Sequence, residues 1–332
     1  MKKMLNYGGW TCITLVIIGT VFFLYVNRGL AHKITPAQFT HLSLDEGNFE
    51  PIDSFAPGHI YGIGLAYAGH INETASEFNP DQDPPVFQKA VRSYIRGASS
   101  AVIPSQTELV QAGEQLEPGL GQLLDESHNP LPALLDYEVE LAFVLLEDVD
   151  TKQLLDGTYI PKIGFFVAND LSARSLAILG EGQPNRHAYW GISKSFKGFT
   201  PVSQQVWIPN EFHADAIPII RLQTLVNEEI RQDQLTSDLI YTPLQMLQAI
   251  HRTYPNRPLQ KGDWVLTGTP GGVILSTPRW LVRTANLLGL DRFKKLANKT
   301  SEKEADKFLK PGDIVVCQGK GLGTVTTVIM EK

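Results

Sequence analysis

The sequence predicts an α+β, mainly β protein that is preceded by one N-terminal transmembrane helix. From Ile60 onward, short apolar runs alternate with glycine and proline, of which the chain has 28 and 21. This texture is typical of strands joined by tight turns. Helical periodicity is clearest at residues 242–253. The transmembrane helix is predicted from 24 uncharged, mostly apolar residues between Lys3 and Arg28.

The N-terminal run has the length of a membrane span. A helix of that length extends about 36 Å at about 1.5 Å per residue, and a bilayer core is about 30 Å thick. Trp10 and Tyr25 near its two ends suit the membrane interface. We therefore expect residues 1–33 to form a single-pass anchor and the protein to be located in a membrane. The side it faces stays undecided, and a cleaved signal peptide and a buried helix are the alternatives.

Charge divides the chain in the same place. The full sequence has a formal net charge of -6, but residues 1–33 contain four bases and no acid, so residues 34–332 carry a net -10. This acidic balance argues against a nucleic-acid partner.

The rest of the chain predicts a tether followed by one domain. Residues 34–58 are polar and contain Pro36, Pro51 and Pro57, so we expect a tether with an initial strand. Residues 59–332 predict one domain built on a mixed sheet. The predicted strands are 59–65, 139–146, 163–168, 219–226, 263–267, 314–318 and 323–329.

Residues 279–310 predict a basic helical insertion. The segment holds nine bases and four acids, and its leucines, Trp280 and Phe293 could form an apolar stripe. We expect a surface helical insertion packed on the domain or on a partner subunit, because runs of charge usually mark a solvated face. The alternative is a helix that lies in a membrane interface, which would add a second membrane contact.

Glu138 and Glu140 are the first half of a candidate metal site. On a strand, side chains two residues apart share a face, while Val139, Leu141 and Phe143 point to the other face. Two carboxylates about 7 Å apart repel each other unless a cation lies between them, and a divalent ion is one solution. A solvent-facing strand edge is the alternative.

Asp170 and Lys194 are further candidates. Asp170 follows an apolar strand, where a functional carboxylate or a helix N-cap would both be plausible. Lys194 lies among apolar neighbours and could balance the charge of a bound substrate, or it could be a surface lysine.

His70 and Glu73 form a candidate catalytic pair. On a helix, residues three apart share a face, so Glu73 could orient the imidazole and make His70 a general base. An ordinary surface pair is the alternative.

Together these segments resemble the fumarylacetoacetate hydrolase family, in the order in which the family has them. The resemblance covers about residues 59–330 and rests on several short motifs in register. The matching motifs are residues 70–73, 85–89, 136–141, 168–174, 194–196, 266–273 and 309–313.

The resemblance implies a mixed β-sandwich roll, a homodimer and a Mg²⁺ or Mn²⁺ site, with Ca²⁺ in some members. Its implied site roles, carried over position by position, are metal ligands at Glu138, Glu140 and Asp170, catalytic groups at His70, Glu73 and Lys194, and substrate contacts at Arg174, Thr269 and Lys89.

The implied activity is hydrolysis of a C–C bond in a small 2-oxo or 1,3-dicarbonyl acid, as in acylpyruvates. A metal-stabilised enolate and a water activated by His70 and Glu73 would carry it. An oxaloacetate decarboxylase, isomerase or hydratase on the same scaffold is the alternative, as is a non-catalytic membrane-tethered binding module. Ser175 and Ala177 stand where the family often has a polar residue and a substrate-contacting glutamine, and Lys197 stands where an acid is common.

Overall fold

Two stacked β-sheets form the framework of the chain. The structure is a computed structural model that describes residues 19–21, 34–73, 82–97, 99–275 and 291–332. Its strands are β1 (Thr40–Leu42), β2 (Gly47–Pro51), β3 (Ile60–Ile63), β4 (Val86–Lys89), β5 (Tyr94–Arg96), β6 (Ser99–Val102), β7 (Leu135–Asp136), β8 (Val139–Leu145), β9 (Ile163–Asn169), β10 (Ser172–Ala173), β11 (Thr200–Val202), β12 (Gln205–Pro209), β13 (Ala216–Pro218), β14 (Arg221–Val226), β15 (Glu229–Leu235), β16 (Trp264–Leu266), β17 (Ile314–Gly319) and β18 (Gly323–Met330).

The helices of the described residues lie between the strands along the chain. They are α1 (Ala68–Glu73), α2 (Gln106–Leu116), α3 (Leu120–Ser127), α4 (Thr151–Asp156), α5 (Arg174–Leu179), α6 (Arg186–Ser193), α7 (Pro243–Thr253), α8 (Arg292–Lys299) and α9 (Glu302–Ala305).

Both sheets mix parallel and antiparallel pairs. Over the described ranges the larger sheet has the strand order β2-β12-β9-β8-β16-β3-β4, and β11 and β5 join it beside β9. Its pairs are antiparallel except β16–β3 and β11–β5. The smaller sheet has the order β15-β14-β17-β18-β6, in which only β18–β6 is parallel. The expected mixed-sheet α+β fold is therefore confirmed.

Strand β8 lies at the centre of the larger sheet, and its alternation decides where charge can be placed. Leu141 and Phe143 join the main core between the sheets, whereas Ala142 and Val144 join a second apolar cluster on the opposite face. Gly319 of β17 in the smaller sheet lies so close to β9 of the larger sheet that a Cβ at this position would be 2.8 Å from Val167 Cγ2. The two sheets are thus in direct contact next to the strands that carry the carboxylates.

The seven predicted strands are confirmed, with ends that differ by a few residues. The predicted helix at 242–253 is also confirmed as α7, which Thr242 caps by accepting a hydrogen bond from the Gln245 amide. Residues 34–58 contribute β1 and β2, which pair with β13 and β12. The division of the chain at residue 59 stays a prediction.

The predicted N-terminal transmembrane helix is wrong for the chain as the structure describes it. Among those residues, no helix combines the length and the apolar composition that a membrane span needs. Most of the predicted anchor, residues 1–18 and 22–33, lies outside the described residues.

The described part of the basic insertion packs on its own domain, as expected of a surface helical insertion, and the alternative of a membrane contact is not supported there. Leu296 of α8 is fully buried, and Phe293 packs against the main core. Arg292 pairs with Glu117, and Lys295 pairs with Glu181. The described part of the apolar stripe, Phe293 and Leu296, is therefore covered by protein. Residues 276–290 of this region lie outside the described residues.

Candidate active site

Three buried carboxylates meet at the ends of β8 and β9. The antiparallel register places Glu140 opposite Ala168, so Glu138 lies opposite Asp170, and the Asp170 amide donates to the Glu138 carbonyl at 2.8 Å. Each of the three side chains offers an oxygen within 4.8 Å of the others. Their residues are 4%, 2% and 0% exposed, which excludes a solvent-facing strand edge. Asp170 is not a helix cap, because the N-cap of α5 is Ala173.

Lysine and arginine side chains surround these acids. Lys194 Nζ donates to Glu138 Oε2 and to Asp170 Oδ2, both at 2.5 Å. Lys89 Nζ donates to Asp170 Oδ1 and, at 3.0 Å, to the Phe199 carbonyl. Lys194 is 5% exposed and Lys89 is 1% exposed, so neither is a surface lysine.

Arg174 connects the cluster to a fourth carboxylate. Its Nε donates to Asp136 Oδ2 at 2.8 Å, and its terminal nitrogen donates to Glu138 Oε1. Asp136 also accepts from the backbone amides of Ile274 and Leu275, at 3.0 and 3.2 Å. This one aspartate fixes both the arginine and the segment after residue 273.

Electrostatics distinguishes the two glutamates of β8. Burial alone would raise the pKa of Glu138, but Arg174 and Lys194 outweigh it and hold that pKa at about 2. The pKa of Glu140 is instead well above its usual value, because it is buried and lies beside the charges of Asp170 and Glu138. The basic side chains thus form ion pairs with Glu138 and Asp170. Glu140 is the carboxylate of the cluster without such an ion pair among the described residues.

The residues present fit a divalent cation. Three carboxylates with no histidine or cysteine among them form the hard oxygen set that Mg²⁺, Mn²⁺ and Ca²⁺ prefer over zinc. The pKa of Glu140 is raised because negative charge accumulates in this buried site, so a bound cation would be favourable there.

Thr269 is held by a buried glutamine that the sequence did not single out. Gln232 Nε2 donates to Thr269 Oγ1 at 2.8 Å and to the Pro270 carbonyl at 2.9 Å. Its Oε1 accepts from the Val139 amide at 3.0 Å and from the Thr224 hydroxyl at 2.8 Å. All hydrogen-bonding capacity of this amide is therefore used to join the segment of Thr269 to the carboxylate strand.

His70 lies on α1, where burial is the main reason that its pKa falls to about 4. The charge of Glu138 acts on it in the opposite direction, so the imidazole lies within electrostatic reach of the cluster. The structure describes the backbone of Glu73 but not its side chain, so the proposed pairing of His70 with Glu73 stays a prediction.

The positions that differ from the family pattern contribute little polar chemistry. The Ser175 hydroxyl donates to the Ala133 carbonyl at 3.1 Å, and Ala177 is buried. Helix α5 therefore supplies Arg174 as its one charged side chain. Lys197 is exposed.

Asp136 and Gln232 are the residues that sequence reasoning missed. Asp136 opens the motif at 136–141 but has no partner within reach along the sequence, because Arg174 lies 38 residues away. Gln232 lies in a strand of mostly polar residues, where only its burial, at 1% exposed, distinguishes it.

The fold and this cluster define an α+β protein with a buried acidic centre that lysine and arginine side chains partly neutralise and that could hold a divalent metal. The sequence model of the fumarylacetoacetate (FAA) hydrolase C-terminal domain matches residues 59–330. The chain therefore belongs to the fumarylacetoacetate hydrolase family, whose members are enzymes that usually use a divalent metal.

Several known proteins are similar to the chain. The mitochondrial oxaloacetate tautomerase FMP41 of Saccharomyces cerevisiae is 29% identical over 224 residues, which are 64% of this chain and 81% of that protein. The oxaloacetate tautomerase YisK of Bacillus subtilis is 27% identical over 218 residues, which are 65% of this chain and only 59% of that protein. A solved fumarylacetoacetate hydrolase from Exiguobacterium antarcticum has a TM-score of 0.52 and 21% identity, and covers 84% of this chain and 76% of its own.

The expectation of a membrane-located protein is not supported, since none of the helices among the described residues is long and apolar enough to cross a membrane. The expected homodimer stays a prediction.

Proposed function

We propose that the chain is a metal-dependent isomerase that interconverts the keto and enol forms of a small 2-oxo acid, with oxaloacetate as the first candidate. The carrying observation is the Lys194 ammonium, which lies 2.5 Å from both Glu138 and Asp170. A buried positive charge there would stabilise an enolate oxygen of a substrate bound at the carboxylate cluster. The names of the yeast and Bacillus relatives support the choice of oxaloacetate.

Charge counting favours an anionic substrate. Asp136, Glu138, Glu140 and Asp170 oppose Lys89, Arg174 and Lys194, which leaves a formal charge of −1 if all are ionised. A divalent ion held by Glu138, Glu140 and Asp170 would change this to +1. Bound Mg²⁺ or Mn²⁺ would act as a Lewis acid that polarises the 2-oxo group.

The side chains of the protein can carry the proton transfers. Burial lowers the pKa of Lys194, but the carboxylates of Asp170 and Glu138 outweigh it, so the pKa is raised and Lys194 stays an ammonium. It can stabilise negative charge on the 2-oxo oxygen. His70, whose pKa of about 4 leaves it neutral near pH 7, can accept the proton from C3 and return it to that oxygen.

C–C hydrolysis, the first expectation from the sequence, is less well supported. It requires an activated water and contacts to a second carbonyl group in addition to the enolate chemistry. Ala177 replaces the glutamine that the family often uses for substrate contact, and α5 offers no polar replacement beyond Arg174 and Ser175. Tautomerisation needs only the part of the site that the described residues bring together.

The test is a direct comparison of three reactions with the full chain and Mg²⁺. Loss of enol absorbance reports tautomerisation of oxaloacetate, pyruvate formation reports decarboxylation, and loss of acylpyruvate absorbance reports C–C cleavage. We expect the tautomerisation rate to exceed both others and to fall at least about 100-fold in Glu138→Ala. Glu147→Gln, which changes an exposed acid paired with Lys162, is the matched control.

Faster acylpyruvate cleavage than tautomerisation would overturn the proposal in favour of the hydrolase. An unchanged tautomerisation rate in Glu138→Ala would show that the carboxylate cluster is not the site.

A further inference from the structure

Tyr67 has a buried hydroxyl group that forms no hydrogen bond with the residues that the structure describes. The residue lies between β3 and α1, directly before Ala68, and is 0% exposed. In contrast, the Tyr137 hydroxyl donates to the Gly272 carbonyl at 3.1 Å.

The residue before Tyr67 connects this part of the backbone to the carboxylate cluster. Its neighbour Ala66 packs against Gly268 so closely that a Cβ on Gly268 would lie 2.8 Å from the Ala66 Cβ. The Gly268 amide in turn donates to Glu140 Oε2 at 2.7 Å. Tyr67 is thus one residue from the contact that fixes Glu140.

Two carboxylates lie within electrostatic reach of the hydroxyl. The pKa of Tyr67 is raised well above its usual value, first by burial and then by the charges of Glu140 and Asp238. The hydroxyl therefore stays protonated, and the hydrogen bond that it can offer is a donated one. Glu140 is also the carboxylate that the lysines and Arg174 leave without an ion-pair contact.

A buried hydroxyl without a partner destabilises the folded chain, and phenylalanine would fill the same volume without that cost. Packing therefore does not account for tyrosine at this position. A ligand oxygen in the cluster would supply the missing acceptor.

We propose that Tyr67 is a further catalytic residue, whose hydroxyl donates a hydrogen bond to an oxygen of the bound substrate on the Glu140 side of the cluster. The donated bond adds a neutral donor opposite the cationic one from Lys194, so a planar 2-oxo acid would be held from two sides. This inference rests on the proposed function in so far as it takes the cluster to be the 2-oxo acid site.

Tyr67→Phe tests the proposal with oxalate, a planar dianion that resembles a 2-oxo acid and does not react. Calorimetry with Mg²⁺ measures the oxalate Kd, and thermal unfolding without ligand measures Tm. We expect the Kd to rise by about 10- to 100-fold, as for a lost hydrogen bond to a charged group, and Tm to stay equal or rise. If the hydroxyl were only structural, the oxalate Kd would not change and Tm would fall.

Tyr159→Phe is the matched control. Tyr159 is also buried, with a hydroxyl that lacks a described partner, and its acidic neighbours Glu147, Asp148 and Asp150 are not part of the cluster. We expect Tm to stay equal or rise and the oxalate Kd to equal that of the wild type.

Two results would overturn the role of Tyr67. One is an oxalate Kd in Tyr67→Phe within threefold of the wild-type value. The other is a Tm that falls by several degrees without ligand, which would show that the hydroxyl has a partner inside the protein. A wild-type chain that binds oxalate but does not tautomerise oxaloacetate would reject the proposed function alone, and the comparison of the Kd values would still decide on Tyr67.

Discussion

The backbone amide of Gly268 donates to Glu140 Oε2 at 2.7 Å, although the two residues are 128 positions apart. Gly268 has φ +95, a conformation that residues with a side chain rarely adopt. The glycine therefore permits the backbone to approach a carboxylate that the nearby cations leave unpaired. This hydrogen bond joins β8, which carries Glu140, to the segment that follows β16.

Gly268→Ala is expected to lower the stability of the protein and to disturb the carboxylate cluster. An added Cβ would lie 2.9 Å from the Ile63 carbonyl as well as meeting Ala66, and the backbone would be strained. We expect a loss of roughly 3 kcal/mol in the free energy of unfolding, measured by urea denaturation. Gly312→Ala, at φ +92 with open space around it, should lose only about 1 kcal/mol. Equal losses in the two variants would contradict the steric argument.

Glu140→Gln is expected to separate stability from metal binding. The amide oxygen can still accept from Gly268, but the repulsion by Asp170 and Glu138 is removed. Without metal, the melting temperature should therefore stay equal or rise. The Mg²⁺ concentration needed for a thermal shift should increase by about 100-fold. If Mg²⁺ shifts the variant and the wild type at the same concentration, Glu140 is not a ligand.

Gln232→Met should show how much the buried amide contributes. Methionine has a similar length but leaves the Val139 amide and the hydroxyls of Thr224 and Thr269 without one of their partners. We expect a loss of roughly 2–4 kcal/mol in urea denaturation and a higher KM for oxaloacetate, because Thr269 is no longer fixed. Gln223→Met in the neighbouring strand, where the amide is half-buried, serves as the control. An unchanged KM would assign Gln232 to stability alone.

The link between Glu117 and Arg292 should make stability depend on pH. Hydrogen bonds from Arg292 are the main reason that the pKa of Glu117 falls to about 2 from its usual value of 4.5. Because the folded-state pKa is the lower one, the stabilisation is present above about pH 4.5 and is lost as the pH falls towards 2. Glu117→Gln should cost about 1 kcal/mol at pH 7, a modest value for a partly exposed pair.

The difference between this variant and the wild type should shrink steadily when urea denaturation is repeated between pH 4.5 and pH 2.5. Glu302→Gln, at an exposed position of α9, should show no such trend. A difference that is independent of pH would show that the charge of Glu117 does not stabilise the packing of α8.

The local parts of the site were predictable from the sequence. Glu138 and Glu140 are two residues apart on an alternating strand, so their common face follows from strand geometry alone. Asp170 required the register of β8 against β9, which the sequence suggests only through the resemblance of its motifs to the family. Lys89 entered the prediction through that resemblance alone.

Long-range partners and the covering of apolar stripes could not be predicted. The contacts of Asp136 with Arg174 and of Gln232 with Thr269 depend on tertiary packing between distant segments. For α8, the pattern of apolar residues shows that one face must be covered, but it does not tell protein from lipid. The structure covers Leu296 with the domain itself.

The ammonium of Lys194 has a consequence for the order in which the protein is assembled. Because it neutralises Glu138 and Asp170 from within the chain, these acids do not have to wait for an ion before they can be buried. A zinc finger, in contrast, remains unfolded until its metal arrives. The chain can therefore bury these acids before any divalent ion binds at the cluster, so its folding would not depend on the supply of free cation in the cell.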